Sequence, residues 1–165
     1  MKGIEMMEKH PIEIKLAASS MEAQIHEYDR LYKEQGDFYG RAAQWSGLSD
    51  AAYWVLYHMC EVKENVTQSD LCKEWYFSKQ TINSAVNKLT ELGYIILKGT
   101  AGKGNRKMIS LTETGDKFCG KYVIPVIEAE RKSFKVLTEE ERETLLRLMK
   151  KQLDTLNKTM EELWQ

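Results

Sequence analysis

Between Ser78 and Ile95 the chain reads SKQTINSAVNKLTELGYI, and its apolar residues Ile82, Ala85, Val86, Leu89 and Leu92 recur at helical spacing. They make one narrow stripe. The other side carries Gln80, Ser84, Asn87 and Glu91, flanked by Thr81, Asn83 and Lys88. A helix made polar only for solubility usually carries Glu and Lys in pairs. Amides and hydroxyls are directional hydrogen-bonding groups instead, so this face asks for a partner.

The pattern around this stretch predicts a mostly helical chain. Residues 1–18 are mixed and expected to fray. A helix is expected from about Ser20 to Trp45, with Met21, Ile25, Tyr28, Leu31 and Tyr32 on one side and a bend or break near Gly36, because Gly36 and Gly40 weaken it. Ser49 reads as an N-cap. The helix after it is apolar over most of its circumference and should be central. Thr67 with Asp70 gives a second cap signal, for a short helix from Gln68 to about Trp75, and Ser78 caps the helix of the first paragraph. Helix, short turn, helix is the helix-turn-helix arrangement.

Gly93 then reads as a C′ glycine. Tyr94–Leu97 and Met108–Leu111 suit two short strands around the Gly-rich loop KGTAGKGNRK, which makes a hairpin. Thr112 caps a further helix to about Val136, interrupted or kinked at Pro125. TEEE at Thr138–Glu141 is a capping box for the last helix. The last helix places Leu145, Met149, Leu153, Leu156, Met160 and Leu163 at steps of three and four, close to a heptad seam.

A helix-turn-helix followed at once by a basic hairpin predicts a winged helix. The fold class expected is mainly α with a small β-hairpin wing and long N- and C-terminal dimerisation helices. In that geometry the second helix lies in the major groove, where Gln and Asn pair with adenine edges, Ser and Thr with several bases, and Lys with guanine or phosphate. Ser78, Lys79, Gln80, Thr81, Asn83, Ser84, Asn87 and Lys88 should then meet DNA, with Gln80, Asn83, Ser84 and Asn87 as the base readers. Lys103, Arg106 and Lys107 should serve the wing, in the minor groove or on phosphate.

Charge sharpens this picture. The net charge is −1, which argues against coating nucleic acid by bulk attraction. Yet Lys63 to Lys107 holds eight Lys or Arg against four Asp or Glu, a local balance of +4. Such a segment can bind phosphate locally. No stretch is long and apolar enough for a membrane span and no signal-peptide pattern opens the chain, so a cytoplasmic protein is expected. Cys60, Cys72 and Cys119 are odd in number and widely spaced, and read as small buried hydrophobes rather than a disulfide framework. No enzyme, cofactor or metal is expected. GTAGKGN places Asn105 where a phosphate loop needs Lys. His58 and Cys60 would face apart on a helix.

GLSDAAYWVLYHM, then SKQTINSAVNKLTELGYI, then ISLTETG after the wing resemble the MarR family of bacterial transcription regulators, over most of the chain from about residue 20. The order and spacing of these pieces carry the resemblance. It implies a homodimer of winged helices that reads palindromic double-stranded operator DNA, most simply a repressor, with release by a small aromatic or other effector in many members. One departure touches the wing. The family carries an Asp two residues before a key Arg, whereas Gly104 and Asn105 precede Arg106 here, which leaves the Asn105 amide to hold the loop. The redox branch uses a Cys in the first helix, and this chain has none before Cys60.

The implied organisation is an N-terminal dimerisation segment at 1–47, a DNA-binding domain at 48–120 and a second dimerisation segment at 121–165. A two-fold dimer would set two recognition helices about 34 Å apart. The aromatic group Phe38, Tyr39, Trp45, Trp54 and Tyr57 reads mostly as core. Tyr39, Trp45, Trp54 and Tyr57 are also the candidates to line a pocket for an aromatic effector. A winged helix that docks protein without specific DNA binding is the alternative reading.

Overall fold

The computed structural model describes residues 20–62, 66–99 and 107–164. The frayed start expected at residues 1–18 and the wing-loop positions Lys103, Asn105 and Arg106 lie outside the described residues. The chain divides into two compact units, Met1–Arg41 and Ala42–Gln165.

Most of helix α1 (Met21–Ser46) lies in the first unit. Of the bend or break expected near Gly36, the break does not occur: the helix is continuous through both glycines. Ion pairs at i,i+3 and i,i+4 sustain it: Arg30 binds Glu27 at 2.8 Å and Glu34 at 2.9 Å, and Arg41 binds Asp37 at 2.9 Å across Gly40. Each such pair adds about 0.2–0.5 kcal/mol, enough to offset much of a glycine's helix cost.

The second unit is built around helix α2 (Asp50–Val62). Ser49 begins it, with its carbonyl accepting the Tyr53 N–H at 2.9 Å. Ala51, Ala52, Tyr53, Val55, Leu56, Tyr57, His58 and Met59 are all buried, as its nearly continuous apolar circumference predicts. Strand β1 (Val66–Thr67) leads directly into helix α3 (Gln68–Trp75). The Thr67–Asp70 capping box is present in both directions. Helix α4 (Lys79–Glu91) follows after three residues and buries Ile82, Ala85, Val86 and Leu89, four of the five stripe residues, against α2 and α3. Full burial of each larger member contributes about 1.5–3 kcal/mol.

The α3–α4 turn contains an unusual residue. Tyr76 caps α3 at φ 55°, ψ 20°, the left-handed region, and no other described non-glycine residue has a positive φ. A side chain there costs about 1–2 kcal/mol that glycine avoids.

Helix α4 ends as expected on Gly93, at φ 72°. Gly93 N–H donates to Thr90 O at 3.0 Å and Tyr94 N–H to Leu89 O at 2.9 Å, a Schellman pair. Strands β2 (Ile95–Gly99) and β3 (Lys107–Leu111) form the expected antiparallel hairpin, in register from Ile95 opposite Leu111 to Gly99 opposite Lys107. β1 adds a third strand on the far side of β3, with Val66 opposite Ile109. Two residues carry no readable period, which is why the pattern alone misses β1.

Thr112 caps helix α5 (Glu113–Tyr122) by accepting the Gly115 N–H at 3.0 Å. Helix α6 (Ile124–Lys135) begins with Pro125 in its first turn, so the interruption falls where proline is tolerated. Helix α7 (Glu139–Leu163) starts on the expected Thr138–Glu141 capping box and buries none of its residues. The core of this unit is closed by Ile95, Ile109, Cys119, Val123, Val126 and Ile127. Cys119 is buried as expected, while Cys60 and Cys72 are only half-buried.

Candidate nucleic-acid interface

Helix α4 is held rigidly from behind and left open in front. Ser78 Oγ accepts the Thr81 N–H at 3.1 Å and shares a 2.8 Å hydrogen bond with Thr81 Oγ1, which fixes the first turn. Its buried stripe fixes the roll of the helix on α2 and α3. Lys79, Gln80, Thr81, Asn83, Ser84, Asn87 and Lys88 are all exposed. Lys88 pairs loosely with Glu91 at 3.8 Å. Gln80, Asn83, Ser84 and Asn87 make no side-chain hydrogen bond among the described residues, whereas Thr90, off this face, bonds its own helix at Val86 O, 2.8 Å away. The directional groups of α4 are therefore oriented but unspent.

Three elements converge beside that face. Asn83 and Asn87 of α4, Gln68 and Ser69 of α3, and Lys107 of β3 line one recess of about 320 Å³, with Thr67 and Leu97 completing its wall. The structure thus brings together three of the expected residues, Asn83, Asn87 and Lys107, and places Ser78, Lys79, Gln80, Thr81, Ser84 and Lys88 along the same helix and its cap. Gln68 and Ser69 are additions. The sequence signal for them was the Thr67–Asp70 cap, which starts α3 and presents its first two residues beside α4. The acidic side chains of the neighbourhood do not enter the recess: Asp70 is turned back to its cap, accepting from Thr67 N–H at 3.0 Å. The lining offers amides, hydroxyls and one ammonium, a set suited to base edges and phosphate oxygens.

A family model described as "MarR family" matches residues 46–104, which include α2 through β2. Over those residues the chain is similar to the MarR family. The solved MarR-family structures share its fold. A MarR family regulator from Neisseria meningitidis matches with a TM-score of 0.70 at 19% identity, covering 84% of this chain and 97% of that one. The MepR–DNA complex of S. aureus matches with a TM-score of 0.61 at 20% identity, covering 79% and 96%. A MarR family regulator from Listeria monocytogenes complexed with a 26mer DNA gives 0.63 at 17%, covering 84% and 90%. No curated protein matches the chain in sequence. The winged helix here has a three-stranded sheet, β1–β3–β2, and α4 is its second helix-turn-helix element.

The candidate effector residues fall in aromatic clusters. Tyr39 meets Phe38 edge-on within α1 at 5.5 Å. Trp45 packs on Tyr122 at 5.0 Å, continuing a row with Phe118 and Tyr94. Trp54 and Tyr57 pack on each other at 5.0 Å and on Trp75 at 4.5 and 6.0 Å. His58 is buried with its ring on Trp75. The Tyr57 hydroxyl donates to Glu130 of α6. Trp75 Nε1 is buried and has no hydrogen-bond partner among the described residues. Those residues contain no group of three or more His, Cys, Asp or Glu able to hold a metal, and no helix long and apolar enough to cross a membrane.

Proposed function

We propose that this protein is a homodimeric transcription regulator that reads a palindromic double-stranded operator through α4, most simply as a repressor. The unspent amide and hydroxyl face of α4, ending in a recess shared with Lys107, is the observation that carries the reading. Gln80, Asn83, Ser84 and Asn87 read base edges. Ser78, Lys79, Thr81 and Lys88 hold the strand edges, and Lys103, Arg106 and Lys107 clamp the wing.

The proposed dimer uses segments 1–47 and 121–165 around the DNA-binding domain 48–120. Its support is exposed apolar surface. Leu145, Met149, Leu153 and Leu156 of α7 are 38–52% exposed, and Met21, Ile25, Tyr28, Leu31 and Tyr32 of α1 are exposed as well. Stripes of this length on a monomer mark an interaction surface. A small aromatic acid is the proposed effector, acting near Trp54 and Tyr57, where the orphaned Trp75 Nε1–H is a donor for its carboxylate. Calorimetry with a panel of phenolic acids tests this, and no heat from a protein that binds operator would count against it.

The first measurement is a salt titration of binding to the DNA upstream of the protein's own gene, against a random duplex of equal length. Tight upstream binding with a steep salt slope and a large specificity ratio is expected. Weak, equal binding to both, together with no selected site from a random-sequence pool, would move the reading to a protein-docking winged helix. Asn87→Ala and Gln80→Ala should each relax sequence preference by about 1–3 kcal/mol, the worth of a bidentate contact. Lys103→Ala should weaken all DNA alike and lower the salt slope by about one.

A further inference from the structure

Among the described residues Tyr76 is the most exposed of the large apolar and aromatic side chains, at 93%. It sits in the left-handed region, where a bulky residue is strained and glycine is not. Among the described residues it makes no hydrogen bond or ring contact. Nothing among the described residues therefore repays an aromatic ring at this point. Its place is specific, two residues before Ser78, the cap of α4, in the turn that delivers the helix N-terminus. The N-terminal residues of a recognition helix enter the groove, so the preceding turn runs along the groove's edge, where the phosphates stand. The left-handed backbone throws the ring outward from that turn instead of back onto α3. Its neighbour Trp75 points the other way, into the cluster with Trp54.

We propose that Tyr76 is a DNA-docking residue whose hydroxyl donates to a phosphate oxygen beside the major groove, with its ring against the sugar. This rests on the reading of α4 as a recognition helix. Tyrosine is a regular donor to phosphate, and such contacts set the register of the protein without carrying sequence information. It is also uncharged, so it adds affinity without releasing counterions.

Two variants test it in the intact chain, Tyr76→Phe and Tyr76→Gly, measured against the operator and a random duplex over a range of salt. Tyr76→Phe should lose about 3–10-fold in affinity for both duplexes, with the salt slope unchanged. Tyr76→Gly should lose at least as much while its Tm rises, because the turn is relieved. A stabler protein that binds less well cannot be explained by damage to the fold. Operator affinities within twofold of wild type for Tyr76→Phe would overturn the hydroxyl contact and leave the role of α4 intact. A wild-type protein that does not distinguish operator from random DNA would instead overturn the reading on which the inference rests.

Discussion

Thr112 and Gly115 show how two small residues can fix the angle between the wing and the helix that follows it. Thr112 Oγ1 donates to Gly93 O at 2.5 Å, its N–H donates to Tyr94 O at 3.0 Å, and its hydroxyl oxygen accepts the Gly115 N–H. The end of α4, the start of β2 and the first turn of α5 are thus tied at one point. Gly115 permits it: a Cβ built there would stand 1.9 Å from the Tyr94 carbonyl oxygen. Backbone cannot step aside as a side chain can. Gly115→Ala will therefore destabilise by about 3 kcal/mol or more, the upper range for overpacking, although alanine is ordinarily the better helix former. Chemical denaturation measures it. The Leu111–Thr112–x–x–Gly115 spacing was legible in the sequence, and Thr112 as a cap with it. The reason for Gly115 was not, since its neighbour Tyr94 lies 21 positions earlier and only the folded wing brings the two together.

Charge gives a second prediction at this scale. Glu61 is exposed at the end of α2, yet desolvation of its carboxyl by neighbouring segments of the chain, then the nearby Glu130 carboxylate, raises its pKa above the ordinary carboxylate value. A raised folded-state pKa penalises the ionised form. The penalty is absent below the unfolded pKa and grows as pH rises through the folded one. Glu61→Gln should raise Tm slightly at pH 7, on the order of 1–2 °C, and leave it unchanged near pH 3.5, where Glu61 itself is largely neutral. Melting curves at the two pH values decide it. An equal rise at both would assign the effect to packing.

At the scale of elements, the chain follows its local signals closely wherever they are chemical. Thr67, Ser78, Thr112 and Thr138 cap the helices they were expected to cap, and Gly93 terminates α4, because each decision is made within a few residues. Signals that depend on weighing small energies fare worse. Gly36 and Gly40 do not break α1, since about 1 kcal/mol of lost propensity is set against flanking ion pairs and a helix already nucleated on both sides. Space is open around both glycines. Gly36→Ala should accordingly stabilise the protein by up to about 1 kcal/mol without changing its oligomeric state or DNA affinity. A loss of stability there would show that the glycine serves close packing against another chain. The recess beside α4 belongs to neither kind of signal. Gln68 and Ser69 come to it only because β1 places the start of α3 alongside β3, and two residues of strand leave no periodic trace.

At the scale of the whole molecule, the balance of charge and the exposed seam argue for the same assembly. With a net charge of −1, one winged helix has little general attraction for DNA, and its basic segment can meet only a few phosphates. Affinity and discrimination must come from placing two such segments on one duplex. α7 supplies the means. It has no buried residue of its own, and its heptad-like apolar stripe faces outward through Leu145, Met149, Leu153 and Leu156. Leu153 lies mid-seam and is 52% exposed, so a charge there costs an isolated chain little. In a dimer the same charge would be buried against apolar neighbours and carry a large desolvation cost. Leu153→Glu should therefore fold as well as wild type, by circular dichroism, yet sediment as a monomer where wild type sediments as a dimer. Its operator affinity should fall by at least tenfold, because two half-sites are no longer held by one body. Leu153→Met, which keeps the seam apolar, should restore both properties. A wild-type protein that is already monomeric at micromolar concentration, or a Leu153→Glu variant that dimerises and binds unchanged, would place the dimer contact elsewhere and leave the outward stripe of α7 to another partner.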